Sequence, residues 1–314
     1  MMMVAEPMIT IGIVCYNYGQ YLARAITSVL AQKLDVPYEL LIADDASTDN
    51  SREVMNSFAE KHPESIRLIL NEKNQGPVYC AWELVKAARG KYIAWLDADD
   101  YWSFQEKLRY QIDFLERHPG YSGCFHDSEI ISEMNSEEIT SQSLNSYRYY
   151  SQFNQYSPDF EPLQLLMRNI IPTASLVFRN RDFSDFFSSY NLPLHSFSWA
   201  FQMEIIKAGK FRYFNKLWSV YYDHAGGLSK KLTSESFSLN NIRILKRLTR
   251  DPFYRRYRNR IWQSIAHEYD CVVYKEGKVN ISYALRSQCS YFKTWWWTAW
   301  YYKLEILKKM FGGR

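Results

Sequence analysis

The chain lacks the residues and runs that announce the simplest function classes. Its five cysteines (Cys15, Cys80, Cys124, Cys271 and Cys289) are odd in number, widely spaced and free of any CxxC pair. That pattern argues against a zinc site or a disulfide framework and for reduced thiols. No basic leader followed by an apolar stretch opens the sequence, and the apolar run from Met8 to Cys15 is too short to cross a bilayer. The expectation is a cytoplasmic protein, free or peripheral on the inner face of the cell membrane. Glycine-rich nucleotide signatures are missing too. The first strand-like segment runs into Cys15-Tyr16-Asn17-Tyr18-Gly19 rather than GxGxxG, and neither a P-loop nor a GxSxG elbow occurs. A net charge of only +4 over 314 residues does not mark a dedicated nucleic-acid binder.

What the chain does contain is an ordered alternation of short apolar runs and helical stripes. At 47% hydrophobic and 23% charged, the composition is that of a folded chain, long enough for one large domain or two smaller ones. Residues 9–15 read as a buried strand, and Leu22, Ile26, Val29 and Leu30 follow at helical spacing. A second strand over 39–43 ends at Asp44 and Asp45, with Ser47, Thr48 and Asp49 as candidate caps for the next helix. Residues 66–70 predict a third strand. Pro77 suits the first turn of a helix striped by Val78, Ala81, Leu84, Val85 and Ala88, with Gly90 ending it. Residues 91–96 are the fourth strand. This alternation predicts an α/β fold with a mostly parallel central sheet flanked by helices, whose ligands bind at the strands' carboxyl ends.

Beyond Glu106 the pattern loosens. A helix bearing Leu108, Ile112 and Leu115 is expected, then a polar segment over 132–160, a strand over 172–179, and a helix over 199–208 closed by Gly209. From Ser236 the chain is helical and basic. The expected organisation is a main domain over 1–230 and a basic, aromatic-rich helical extension over 231–314.

Chemistry concentrates where Ile93-Ala94-Trp95-Leu96 empties into Asp97-Ala98-Asp99-Asp100. Clustered carboxylates repel unless positive charge sits among them, and hard Mg²⁺ or Mn²⁺ carrying a diphosphate fits that need. An extended backbone points Asp97 and Asp99 the same way, so both can converge on one ligand. By itself an acidic strand end also caps a following helix. Asp44 and Asp45 at another strand end strengthen the ligand reading. For a nucleoside diphosphate, Asp45 suits a base N–H, Tyr16 with Val14 a contact to the ring, Asp97 a ribose hydroxyl, and Asp99 the metal. His224, between Asp223 and flexible glycines, is a second metal-ligand candidate, although a histidine there is equally well a structural residue.

In order along residues 8–230, ITIGIVCYNYGQYLARAITSVLAQ, ELLIADDASTDNS, NEKNQGPVYCAWELVKAARGKYIAWLDADDYW and YYDHAGGLS resemble the family-2 glycosyltransferases of GT-A fold. The resemblance implies transfer of a sugar from a nucleotide sugar, by expectation UDP-linked, to a saccharide or lipid-linked saccharide acceptor. It implies inversion at the anomeric carbon and a role in polysaccharide or glycolipid assembly. Nucleobase binding at Asp45, ribose at Asp97, metal at Asp99 and a metal or phosphate contact at His224 are implied as well.

Two positions depart from the family pattern. Ser198 stands ahead of Gly209 and Lys210 where the family places the acid that deprotonates the acceptor, and a serine hydroxyl is too weak a base for that step. His195, Glu204, Asp223 or an acid of the 132–160 segment are alternatives, and imidazole has the pKa closest to neutrality. Tyr222 stands where the family often carries arginine. Three readings therefore follow: a hexosyltransferase-like enzyme, a nucleotide-sugar-binding homologue that transfers poorly, or a basic interaction protein built on the same domain.

The second half adds a basic run over 243–260 and an aromatic run at Trp295-Trp296-Trp297 and Trp300-Tyr301-Tyr302 among lysines. Basic and aromatic side chains together suit an anionic membrane surface or a homo-oligomer contact. Nucleic acid is disfavoured, because no reader motif accompanies the charge.

Overall fold

The computed structural model describes residues 6–133, 158–166, 169–190, 197–227, 233–275, 278–279 and 282–294. The apolar runs become strands β1 (Ile9–Cys15), β2 (Tyr38–Asp44), β3 (Ile66–Leu70) and β4 (Tyr92–Asp97). Helices α1 (Gly19–Leu30), α2 (Ser51–Lys61) and α3 (Pro77–Ala87) connect them. Both β2 and β4 pair in parallel with β1, so that Val14 lies level with Ala43 on one side and Asp97 on the other. This register brings the carboxyl ends of these strands to one edge.

After β4 come β5 (Tyr101–Trp102), α4 (Lys107–Arg117), β6 (Tyr121–Ser132), β7 (Asp159–Phe160) and α5 (Pro162–Leu165). Then follow β8 (Val177–Arg179), α6 (Ser184–Ser189), α7 (Phe197–Ile205) and β9 (Lys210–Asp223). The strand order is β3-β2-β1-β4-β8-β6-β9-β5, with β7 on β9. Strand β8 runs antiparallel to both neighbours, while β6 and β9 are parallel to each other. On one face of the sheet, Leu22, Ile26 and Val29 of α1 and Leu108, Ile112 and Leu115 of α4 share a core with Ile11, Ile13 and Leu96. Each such side chain contributes about 1.5–3 kcal/mol on full burial.

Several local features differ from these expectations. Strands β6 and β9 arise in segments without a strand signal. The expected strand over 172–179 begins as a 3₁₀ turn, Thr173–Ser175, before β8. Asn50 stands at the α2 cap position but makes no capping bond; of Ser47, Thr48 and Asp49 only Asp49 serves the helix, its Oδ1 accepting the Ser51 N–H at 2.9 Å, and all three side chains also bond the loop after β1. Helix α3 ends at Ala87, short of Gly90. Gly90 is required by close approach, since a Cβ there would lie 2.3 Å from the Thr10 nitrogen.

The chain divides into two compact units, Met1–Glu161 with Ile170–Gly227 and Pro162–Asn169 with Leu228–Arg314. The second contains α8 (Ser234–Leu248), α9 (Arg258–Val273), a short antiparallel ribbon and a helical stretch over 282–294. Thr233 caps α8 by accepting the Ser236 N–H. Among the described residues no helix is long and apolar enough to cross a membrane.

At the amino edge of the sheet one acid ties β2 to β1, β3 and the loop after α3. Glu39, 5% exposed, accepts the Thr10 hydroxyl at 2.7 Å, the Arg89 N–H at 2.8 Å and an Arg67 Nη1–H at 2.6 Å. Thr10 Oγ1 accepts the Gly90 N–H in turn at 2.9 Å. Replacing Glu39 by alanine strands these donors and is expected to lower unfolding free energy by about 3 kcal/mol. Urea denaturation measures this; a loss indistinguishable from zero would show that the network is idle.

Candidate functional site

At the opposite edge, the turn after β1 is bound to the loop after β2 through side chains and amides. Asn17 Oδ1 accepts the Thr48 N–H at 2.8 Å, and Ser47 Oγ accepts the Asn17 N–H at 2.9 Å. Ser51 Oγ takes the Tyr18 N–H at 3.1 Å and Asp49 Oδ2 the Gly19 N–H at 2.9 Å. Asn17 and Ala46 both adopt φ of 59°, a left-handed conformation that asparagine tolerates and alanine resists. Such strain persists only where neighbouring bonds enforce it, here at a loop that faces the acids. Tyr16 stands in the same turn, 43% exposed.

The two adjacent acids at the end of β2 have different jobs. Asp44 is fully buried; its Oδ2 accepts Arg52 Nε–H at 2.6 Å and the Ser47 N–H at 3.1 Å. It is a structural residue. Asp45, 1% exposed, accepts the Gln75 N–H on one oxygen and the Gly76 N–H on the other, both at 2.8 Å. These bonds fix the approach to α3, and an open depression lined by residues 70–75 lies beside them.

The acids after β4 meet the end of β9. His224 Nε2 lies 3.1 Å from Asp99 Oδ2. The imidazole is 3% exposed, with the Tyr21 ring centroid at 4.4 Å, Tyr18 at 5.8 Å and Tyr222 at 6.2 Å. Burial, followed by the charges of Asp99 and Asp97, pushes the Tyr18 phenol up, so it stays a neutral wall of the site. Asp97 is half-buried. Burial and then the Asp99 charge raise its carboxyl, against hydrogen bonds from Thr173 and Trp95. Asp100 is buried and accepts the Tyr222 N–H at 3.0 Å. Burial and then the two neighbouring acids raise its carboxyl also.

Two donors 3.1 Å apart match adjacent vertices of an octahedron with bonds of about 2.1 Å. Among the described residues no cluster of three or more His, Cys, Asp or Glu forms a metal cage. An ion that keeps water and phosphate ligands needs no such cage, so the Asp99 carboxylate fits Mg²⁺ or Mn²⁺, and the His224 nitrogen suits Mn²⁺ better than Mg²⁺.

The structure thus gathers Val14, Tyr16, Asp45, Asp97, Asp99 and His224 around one sheet edge. Ser198 lies half-buried in the first turn of α7. His195 lies outside the described residues, as do residues 134–157 and 295–314. Glu204, further along α7, is held by Arg181 at 3.2 Å and Lys207 at 2.6 Å. Sequence reasoning missed Tyr18 and Tyr21, whose rings lie beside His224, and Arg24, which donates to the Asp99 main-chain oxygen. Their three-residue spacing is the signal that could have shown them.

The profile described as glycosyl transferase family 2 matches residues 10–179. An uncharacterised protein of Mycobacterium tuberculosis is 31% identical over 215 residues, covering 68% of this chain and 58% of that protein. The chain therefore spans less than two thirds of that relative's length. Among solved structures, S. aureus TarS 1–349 in complex with UDP-GlcNAc matches with TM-score 0.61 at 18% identity, over 84% of this chain and 72% of that one. The mannosyltransferase PcManGT from Pyrobaculum calidifontis, in complex with GDP-Man and Mn²⁺, matches with TM-score 0.54 at 14% identity, over 98% and 88%. These likenesses establish a GT-A-like fold with a C-terminal helical extension. With more than half of its length matched by the family profile, the chain belongs to glycosyl transferase family 2.

Proposed function

We propose that the chain transfers a sugar from a nucleoside-diphosphate sugar, with UDP as the favoured nucleotide, to an acceptor hydroxyl with inversion. The observation that carries this reading is the 3.1 Å approach of Asp99 and His224 at the edge that also holds Asp45 and Asp97. Asp45 and Tyr16 bind the base, Asp97 the ribose, and Asp99 with His224 the divalent ion. When bound, Mn²⁺ or Mg²⁺ neutralises charge on a departing diphosphate. The acceptor oxygen attacks the anomeric carbon from the face opposite the diphosphate; the carbon–oxygen bond to phosphate breaks, and the acceptor proton passes to a base. The tyrosines around His224 limit water near the reacting centre. A saccharide or lipid-linked saccharide is the proposed acceptor.

Calorimetry with UDP and GDP, in Mn²⁺ and in EDTA, tests the nucleotide and metal assignment. Asp99→Asn is expected to abolish the Mn²⁺ dependence of UDP binding and to lower kcat by about 10²–10³-fold. Wild-type-like values for both would remove Asp99 from the site.

Ser198 cannot act as the base, so Ser198→Ala is expected to hold kcat within about fivefold of wild type, the effect of one neutral hydrogen bond. Steady-state assays of product formation read this directly. A loss of several orders of magnitude would restore Ser198 to the proton path, and absence of any product from the wild-type protein would favour a binding homologue without transferase activity.

The C-terminal unit supports a membrane-surface partner. Arg243, Lys246, Arg250, Arg255 and Arg256 are all exposed, and the Arg256 guanidinium lies 4.9 Å from the Phe253 ring centroid. Flotation with anionic vesicles is expected to recover the wild-type protein and to recover less of an Arg255→Glu, Arg256→Glu variant, with neutral vesicles recovering neither. Equal recovery of both proteins on anionic vesicles would count against a lipid partner.

A further inference from the structure

The acids at the end of β4 and the histidine beyond β9 come from distant parts of the chain, and one cation reaches both segments, through the main chain of Asp99 and the ring of Tyr222. Arg24 of α1 donates from Nη2 to the main-chain oxygen of Asp99 at 3.0 Å. Its guanidinium carbon lies 4.0 Å from the Tyr222 ring centroid and 4.5 Å from that of Tyr101. Asp100 accepts the Tyr222 N–H at 3.0 Å. One guanidinium therefore touches the backbone that carries Asp99 and the side chain of Tyr222. Asp100 closes the circuit by holding the Tyr222 backbone, which leads directly to His224.

The chemistry of arginine is needed for both halves of this grip. A planar guanidinium stacks on aromatic faces and still presents directed N–H groups. Lysine keeps the charge but loses the plane. Methionine keeps much of the volume and loses both.

We propose that Arg24 is a positioning residue that sets the separation of Asp99 and His224, and through it the affinity of the site for a divalent ion. The inference rests on the transferase reading above. Arg24 touches neither the ion nor the sugar in this scheme; it acts on where the two protein donors stand.

The test compares the full-length wild-type, Arg24→Met, Arg24→Lys and Asp99→Asn proteins. Mn²⁺ binding at saturating UDP is read by calorimetry and by electron paramagnetic resonance, and UDP binding is read separately in EDTA. Arg24→Met is expected to weaken Mn²⁺ by about 10–100-fold, the range for residues that orient metal ligands. UDP affinity in EDTA is expected to match wild type, because the base contacts lie at Asp45 and Tyr16. Arg24→Lys is expected to fall between the two. Unchanged Mn²⁺ affinity in Arg24→Met overturns the proposal. So does a parallel loss of UDP affinity in EDTA, which would make Arg24 a general support of the domain. If the wild-type protein binds UDP no better with Mn²⁺ than in EDTA, the transferase reading itself fails, and the inference falls with it.

Discussion

Negative charge crowded onto one edge of the sheet is the constraint that organises this protein. Asp44 ends β2 and Asp45 follows it, Asp97 ends β4 with Asp99 and Asp100 beyond it, and both strands flank β1. Carboxylates so placed cannot all remain ionised without nearby positive groups or N–H donors. The fold supplies these unequally. Asp44 has Arg52 and the Ser47 amide, Asp45 has the Gln75 and Gly76 amides, and Asp100 has the Tyr222 amide and the charge of Arg24. Asp97 has Thr173 and Trp95, neither of them a cation, and Asp99 has His224. The acids least offset by the protein are the ones assigned to ribose and metal, which is where a bound cation brings the most stabilisation.

The first half of the sheet was legible because β1, β2 and β4 are almost wholly buried and carry apolar runs. The second half was not. In β6, His126, Asp127 and Ser128 are all buried, so the segment shows no apolar run. Two of the three find partners from distant sequence: Tyr213 donates to Asp127 Oδ2 at 2.6 Å, and the hydroxyls of Ser128 and Ser219 lie 2.7 Å apart, while His126 Nδ1 meets the neighbouring Asp127 main-chain oxygen. The matching strand β9 carries a register shift against β6 between His126 and Asp127, which breaks the alternation that marks a strand. Polar side chains that satisfy one another across two strands leave no trace in either strand read alone.

The site was legible in a similarly divided way. Asp97 and Asp99 stand out because an apolar strand delivers them together, whereas His224 gains meaning only once β9 carries it back to Asp99. Tyr18, Tyr21 and Arg24 looked like part of an ordinary helix entry, since their role depends on what lies opposite them in space. The acceptor's base remains the least legible element. Glu204 shares a helix with Ser198, but both its oxygens are committed to cations. A carboxylate so held is a poor partner for an incoming hydroxyl, which leaves His195 as the stronger of these two alternatives on chemical grounds.

The two edges of the same sheet show how one residue type serves opposite ends. At the amino edge, Glu39 meets Thr10, Arg67 and the Arg89 amide, so its charge is matched within the protein and its contribution is to stability. At the carboxyl edge, strand ends present acids outward into loops that bend back over them, and complete internal matching would leave nothing for a ligand to do. A parallel sheet enforces this asymmetry: side chains beyond the last paired residue of each strand converge at one edge, where connecting loops are free to vary without disturbing the register beneath. The buried pairing of Ile13 with Ile42 and Leu96 holds the strands level. A shift by one residue in either pairing would turn Asp97 or Asp44 to the opposite face and dissolve the acid cluster, so the geometry available for chemistry is set by apolar packing several residues away.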